Sequence, residues 1–193
     1  MNKRIVALIL AVLTLLGAAA AEESRVLSIS TDSGFAITVS VPDGYRAESE
    51  AALYGAPISV TYFLPSEPSR ARMTLTIAFD EEYAGRSFSD LTAAEKEQLF
   101  CAGAVDMISP AISYARTAGG TELCVLNENS EVDEYVLLIT LFNGYWAEVL
   151  IEKDDTSVQI TEEEIETGIE LMNNILSKAS RTLPACFRSI HFL

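Results

Sequence analysis

The strongest pattern of apolar positions lies between Glu134 and Glu152, EYVLLITLFNGYWAEVLIE, where two apolar runs flank Asn143-Gly144. Asn-Gly suits a two-residue type I′ turn, because both central residues need φ > 0, which Gly adopts freely and Asn tolerates. That turn sets a register in which Phe142 faces Tyr145, Thr140 faces Ala147, Leu138 faces Val149 and Val136 faces Ile151, so one side of the ribbon is almost wholly apolar. The other side carries Leu141 opposite Trp146, Ile139 opposite Glu148 and Leu137 opposite Leu150. A ribbon apolar on both sides belongs in the middle of a sheet covered on each face.

The remaining pattern predicts further hairpins and two helices. Arg25 to Ser30 and Gly34 to Val41 alternate on either side of Thr31-Asp32-Ser33 and read as paired strands. Glu48 to Tyr54 reads as a short helical or irregular crossing. Ile58 to Leu64 and Met73 to Phe79 form a hairpin around a loop with two prolines, Pro65 and Pro68. Thr92 and Glu95 have capping-box spacing ahead of a helix to about Ile108, which Pro110 stops. Ile112 to Thr117 and Thr121 to Leu126 bracket Gly119-Gly120; a two-residue turn there sets Cys124 opposite Ala115. The acidic turn Asn127 to Asp133 leads to the central ribbon. Thr161 and Glu164 repeat the capping-box spacing, with Glu162, Glu163 and Glu164 in the first turn of a helix to about Ala179. Ile165, Ile169, Met172 and Ile175 or Leu176 recur along it at helical spacing, a stripe to bury on the sheet. The fold class is therefore α/β (α+β): a central, mostly antiparallel sheet of about six to eight strands built from hairpins, with helices on its faces.

The N-terminus changes the expected location. Met1-Asn2-Lys3-Arg4 precedes an uncharged apolar run from Ile5 to Leu16 and then Gly17-Ala18-Ala19-Ala20-Ala21. This has the form of a secretory signal peptide, and the run is shorter than the roughly 20 residues of a spanning helix. Residues 1–21 are read as the leader, 22–180 as one domain and 181–193 as an extended C-terminal tail, with an added strand as the alternative. The mature chain of about 170 residues suits a single core. Secretion, to the envelope or the medium, with no integral membrane segment after cleavage, is the expectation.

Charge narrows the partners. The chain carries 13 basic and 28 acidic side chains, and losing Lys3 and Arg4 with the leader moves the net charge from -15 to -17. Such a surface opposes nucleic acid and anionic membranes and favours solubility or a basic partner.

Candidate chemistry is sparse. His191 is the one histidine, which disfavours triads built on an imidazole base; Cys186 with His191 could be drawn as thiol and base, but packing of a tail is the stronger reading. Four zinc ligands would have to converge from remote places. Asp154-Asp155-Thr156-Ser157 and Asn127-Glu128-Asn129-Ser130-Glu131 offer oxygen ligands for calcium, but neither matches an EF-hand loop and both read as solvated turns. No catalytic, cofactor or metal residues are assigned, and no cofactor is implied. Tyr114, Tyr135, Tyr145 and Trp146 could form an aromatic ligand patch, against the alternative of core or cross-strand pairs. Three cysteines remain. Export permits a disulfide, for which Cys101 and Cys124 are the candidate because their segments should pack together; the alternative is that both are small buried hydrophobes. Cys186 is left over.

The order of elements, with Gly34-Phe35 leading to Val41-Pro42-Asp43-Gly44-Tyr45, the middle helix, Gly119-Gly120, and Asn143-Gly144-Tyr145-Trp146 followed by a helix ending Asn174-Ile175-Leu176-Ser177, resembles the PsbP-like α/β/α sandwich superfamily. The resemblance covers about Gly34 to Ser180 and rests on structural motifs; the tail departs from it. It implies an adaptor or docking subunit rather than a catalyst. The functional expectation is an exported, non-catalytic binding or accessory module that docks to another protein. The alternatives are a hydrolase using paired carboxylates and a small-ligand or calcium-binding protein.

Overall fold

A computed structural model describes residues 26–30, 36–50, 58–103, 110–129, 134–155 and 158–182. In chain order the strands are β1 (Val26–Ser30), β2 (Ala36–Ser40), β3 (Tyr45–Glu50), β4 (Ile58–Pro65) and β5 (Arg72–Phe79). Two 3-10 turns, Glu81–Tyr83 and Phe88–Asp90, precede helix α1 (Ala93–Gly103). Strands β6 (Ala111–Arg116), β7 (Glu122–Asn129), β8 (Glu134–Phe142) and β9 (Tyr145–Glu152) lead to helix α2 (Glu162–Thr182). β1 and β2 form a small antiparallel ribbon, and the others form a seven-stranded antiparallel sheet in the order β3-β4-β5-β9-β8-β7-β6. This is a mixed, sheet-rich fold.

The ribbon apolar on both sides occupies the middle. β9 is the fourth of the seven strands and β8 lies beside it, with Phe142 opposite Tyr145, Thr140 opposite Ala147, Leu138 opposite Val149 and Val136 opposite Ile151. Asn143 has φ 51° and Gly144 φ 84°, the pair of left-handed conformations a type I′ turn requires. The turn is clasped from outside, since Gly144 N–H donates to the Arg86 carbonyl at 3.0 Å and Asp80 N–H donates to the Gly144 carbonyl at 2.9 Å.

On one face Val136, Leu138, Val149, Ile151, Met73, Leu75 and Phe63 are excluded from water, and α2 lays Leu171, Met172 and Ile175 over them. The helix comes close at Gly168, where a Cβ would lie 2.8 Å from Ile151 Cδ1 and 3.0 Å from Leu138 Cδ1. On the opposite face Leu137, Ile139, Leu141, Cys124 and Leu126 pack with Tyr83, Phe88 and Leu91 from the segment of the 3-10 turns, and Trp146 and Leu150 are partly buried against that cluster. Charged side chains then tie the elements: Lys96 of α1 reaches Glu122 of β7 at 3.0 Å and lies over the Phe88 ring.

Four expectations need correction. Tyr45–Glu50, assigned in part to a helical or irregular crossing, is an edge strand pairing with β4; Arg46 and Glu48 point away from the core, so no apolar alternation marks it. The β6–β7 turn is not a two-residue turn. Thr117 N–H donates to the Thr121 carbonyl at 2.9 Å and Gly120 has φ 85°, which leaves Ala118, Gly119 and Gly120 as a three-residue loop with a left-handed final glycine. The extra residue shifts the register by one, so Cys124 faces Tyr114 and Ala115 faces Leu123. In addition, Asn127 to Asn129 belong to β7 rather than to an acidic turn, and α2 carries Arg181 and Thr182, placed in the tail by the sequence. Residues 1–21, 104–109, 130–133 and 183–193 lie outside the described residues. Among the described residues no helix is long and apolar enough to cross a membrane.

Candidate functional site

The site grows from the N-terminal turn of α2. Thr161 N–H donates to Glu164 Oε2 at 2.7 Å, and Glu164 N–H donates to Thr161 Oγ1 at 3.3 Å, the reciprocal capping box that the spacing predicts. Glu164 does more than cap. Its Oε1 accepts the Ala71 N–H at 2.7 Å, and its Oε2 lies 3.0 Å from Lys153 Nζ. The ion pair is buried, with side-chain exposures of 7% for Lys153 and 5% for Glu164. Burial pushes the Glu164 carboxyl up, but the hydrogen bonds from Thr161, Ala71 and Lys153 outweigh it and hold the group below its ordinary value. Lys153 also donates to the Gln159 carbonyl at 2.7 Å. This cluster fixes the start of α2 against the ends of β5 and β9.

Outside that clamp lies a cavity of about 350 Å³, between the β2–β3 link and the exposed side of α2. Arg70 lies in its wall. Its guanidinium donates to the Asp43 carbonyl at 3.3 Å, sits 3.5 Å from the Glu163 carboxylate and rests 5.2 Å above the Tyr45 ring. Tyr45 in turn donates to the Ala71 carbonyl at 3.0 Å, and burial, against the opposing pull of Arg70, raises its phenol. Asp43, Glu163 and Glu170 give the cavity an acidic lining around this one guanidinium.

Glu170 belongs to a longer feature. Glu162, Glu166 and Glu170 follow one another at helical four-residue spacing and are all exposed, so like charges stack along one ridge of α2. Such neighbours destabilise a helix by about 0.2–0.5 kcal/mol per pair. Of the bases whose side chains are described, Arg46, Arg70, Arg72, Arg86, Lys96, Arg116 and Lys153 each lie within 3.5 Å of some other carboxylate.

The residues singled out from the sequence are dispersed. Tyr145 lies on the α2 face, 5.8 Å from Phe142 and 5.0 Å from Phe79 between ring centroids, whereas Trp146 points to the opposite face and meets Tyr83 edge-on at 5.7 Å. Tyr114 lies at the sheet edge, 6.5 Å from Phe88. Strand alternation therefore splits the imagined aromatic patch. Asp154 is taken by Arg72 at 3.1 Å, and Glu128 is buried in β7. Among the described residues no three His, Cys, Asp or Glu converge as metal ligands. Cys124 is a buried free thiol, pushed by burial up to about 12 despite the nearby Lys96; the Cys101 side chain, its candidate partner, and Cys186 and His191 lie outside the described residues.

Sequence reasoning missed Glu148 as an unusual group. It sits between Thr76 of β5 and Ile139 of β8, with Trp146 and Leu150 before and after it on the same face, and burial raises its carboxyl. The signal was one acid in the otherwise apolar outward series Trp146, Glu148, Leu150. The register places a threonine and an isoleucine beside it, not the second acid that a paired-carboxylate mechanism needs. No protein-family model matches the chain, and none of the curated proteins is similar to it.

Proposed function

We propose that the chain is an exported accessory module that docks a basic protein segment on the acidic side of α2, in keeping with its resemblance to the PsbP-like sandwiches. The observation that carries this reading is the uncompensated ridge Glu162, Glu166, Glu170 beside the Glu163 and Asp43 lining of the cavity. The ridge costs the helix stability and the bases whose side chains are described pair with other carboxylates, so its charge is available to an incoming cation. The buried Lys153–Glu164 clamp holds α2 rigidly under the ridge, which reduces the ordering cost of binding. In the layered arrangement that the resemblance implies, helices cover both faces of the sheet; the α2 stripe packed on one face and the Lys96–Glu122 link from α1 support that reading.

A lysine-rich peptide titrated into the protein provides the test. Binding is expected to weaken with added salt and to fall about fivefold or more in the Glu162→Gln, Glu166→Gln, Glu170→Gln triple variant. Equal affinity in the variant, or binding indifferent to salt, would overturn the assignment of the ridge.

A further inference from the structure

The two sides of the sheet are not covered alike. On β5 and β9 the alternate residues that face α2, from Met73 to Ile77 and from Tyr145 to Ile151, are all buried, whereas Thr74, Thr76 and Ala78 of β5 and Trp146, Glu148 and Leu150 of β9, on the other side, are only half-buried. The segment of the 3-10 turns closes that other side over β7 and β8 with Tyr83, Phe88 and Leu91. Farther out, Tyr62 and Leu64 of β4 are half-buried too. Glu148 stands within this half-covered area: Thr76 lies across from it on β5 and Ile139 on β8, and Trp146 and Leu150 precede and follow it on the same side of its own strand.

A carboxylate so placed is costly unless it is paired. Among the described residues no hydrogen-bond donor or base meets the Glu148 side chain, and burial alone acts on its carboxyl. The arginines on the same side are engaged: Arg72 sits opposite Glu152 and pairs with Glu152 and Asp154, and Arg46 pairs with Glu48. The area therefore offers one half of an ion pair beside an aromatic ring. Trp146 and Glu148, two residues apart on one side of a strand, leave the backbone about 7 Å from each other. An indole face attracts a cation, and the methylene stem of a lysine or arginine packs on apolar surface while its head reaches a carboxylate. A purely apolar partner would leave Glu148 unpaired, and a second copy of a chain of net charge -15 is opposed by long-range repulsion. We propose that this area of the sheet is a docking surface for a protein segment whose apolar face carries one lysine or arginine, with the cation on Glu148 and its stem along Trp146 and Leu150. It lies on the side of the sheet away from α2 and is independent of the acidic ridge.

Trp146 is the one tryptophan of the chain, so its fluorescence reads the surface directly. The probe is a short amphipathic peptide with one lysine among the leucines of its apolar face, alongside a counterpart with norleucine in place of that lysine. The lysine peptide is expected to give a saturable change in Trp146 emission at neutral pH. Its affinity should fall at least about tenfold in Glu148→Gln, and the norleucine counterpart should bind the parent at least about tenfold more weakly. The Glu162→Gln, Glu166→Gln, Glu170→Gln triple variant should bind it within about twofold of the parent. Because Glu148→Gln removes an unpaired half-buried charge, its urea unfolding should show a fold at least as stable as the parent, which separates lost binding from lost folding. Equal affinity in Glu148→Gln or for the norleucine peptide would overturn the proposal. So would the lack of any saturable Trp146 response, the result expected if another part of the chain covers the surface, or binding lost in the triple variant alone, which would place the peptide on the ridge.

Discussion

Glu164 carries four roles on one carboxylate: it caps α2, holds the Ala71 amide, pairs with Lys153 and accepts the Thr161 hydroxyl. Removing its cation leaves a buried, uncompensated charge. Lys153→Met is therefore expected to destabilise the fold by about 3–5 kcal/mol in urea denaturation. Acid exposes the same physics. Glu95, which takes two hydrogen bonds from Arg86 and closes the α1 capping box, is held at about 2, chiefly by Arg86 and then by Thr92. Because Glu95 and Glu164 are lowered in the folded state, the stability they contribute is present above the ordinary carboxylate value and is lost as pH falls through their folded values. Glu148 has the opposite sign: burial raises it, so stability declines as pH rises from that ordinary value through its folded one. Glu95→Gln should flatten the acid limb of a stability–pH curve, while Glu148→Gln should stabilise at pH 7 and give no gain at pH 3. A Glu148→Gln variant no more stable at neutral pH would contradict its desolvation.

At the scale of elements, the turn between β8 and β9 is the most constrained. A Cβ on Gly144 would lie 2.9 Å from Ala84 Cα, at a φ that side chains rarely adopt. Gly144→Ala is expected to cost about 2 kcal/mol or more by thermal or urea unfolding, whereas a cost near zero would mean that the clasp at Ala84 to Arg86 does not form. This element was legible in the sequence because Asn-Gly names its turn type and two long apolar runs fix the pairing. The β6–β7 hairpin was legible only as a hairpin: Gly119-Gly120 fits two loop lengths, and Gly120, not the pair, proves to be the special position. β3 was hidden because an edge strand needs apolar side chains on one face only, and Tyr45 and Ala47 are too few to show a period. Both capping boxes were readable from spacing, but the clamp was not, since Ala71 and Lys153 are brought to Glu164 by pairing between distant strands.

For the whole molecule, the central ribbon and the acidic surface belong to one argument. A sheet covered on both sides of its middle strands gives α2 a rigid bed along β8 and β9, and a rigid helix can carry a ridge of like charges that an isolated one would not hold well. The ridge itself could be read from the sequence as an excess of acids; its availability could not, because it depends on which carboxylates the bases occupy after folding. Native-state amide exchange measures the bed most directly. The account predicts that β8 and β9 amides exchange only through global opening, with a free energy matching that from denaturant unfolding, while the β3 edge exchanges through smaller openings. Exchange in β8 and β9 as fast as in β3 would contradict the placement of that ribbon at the centre of the sheet.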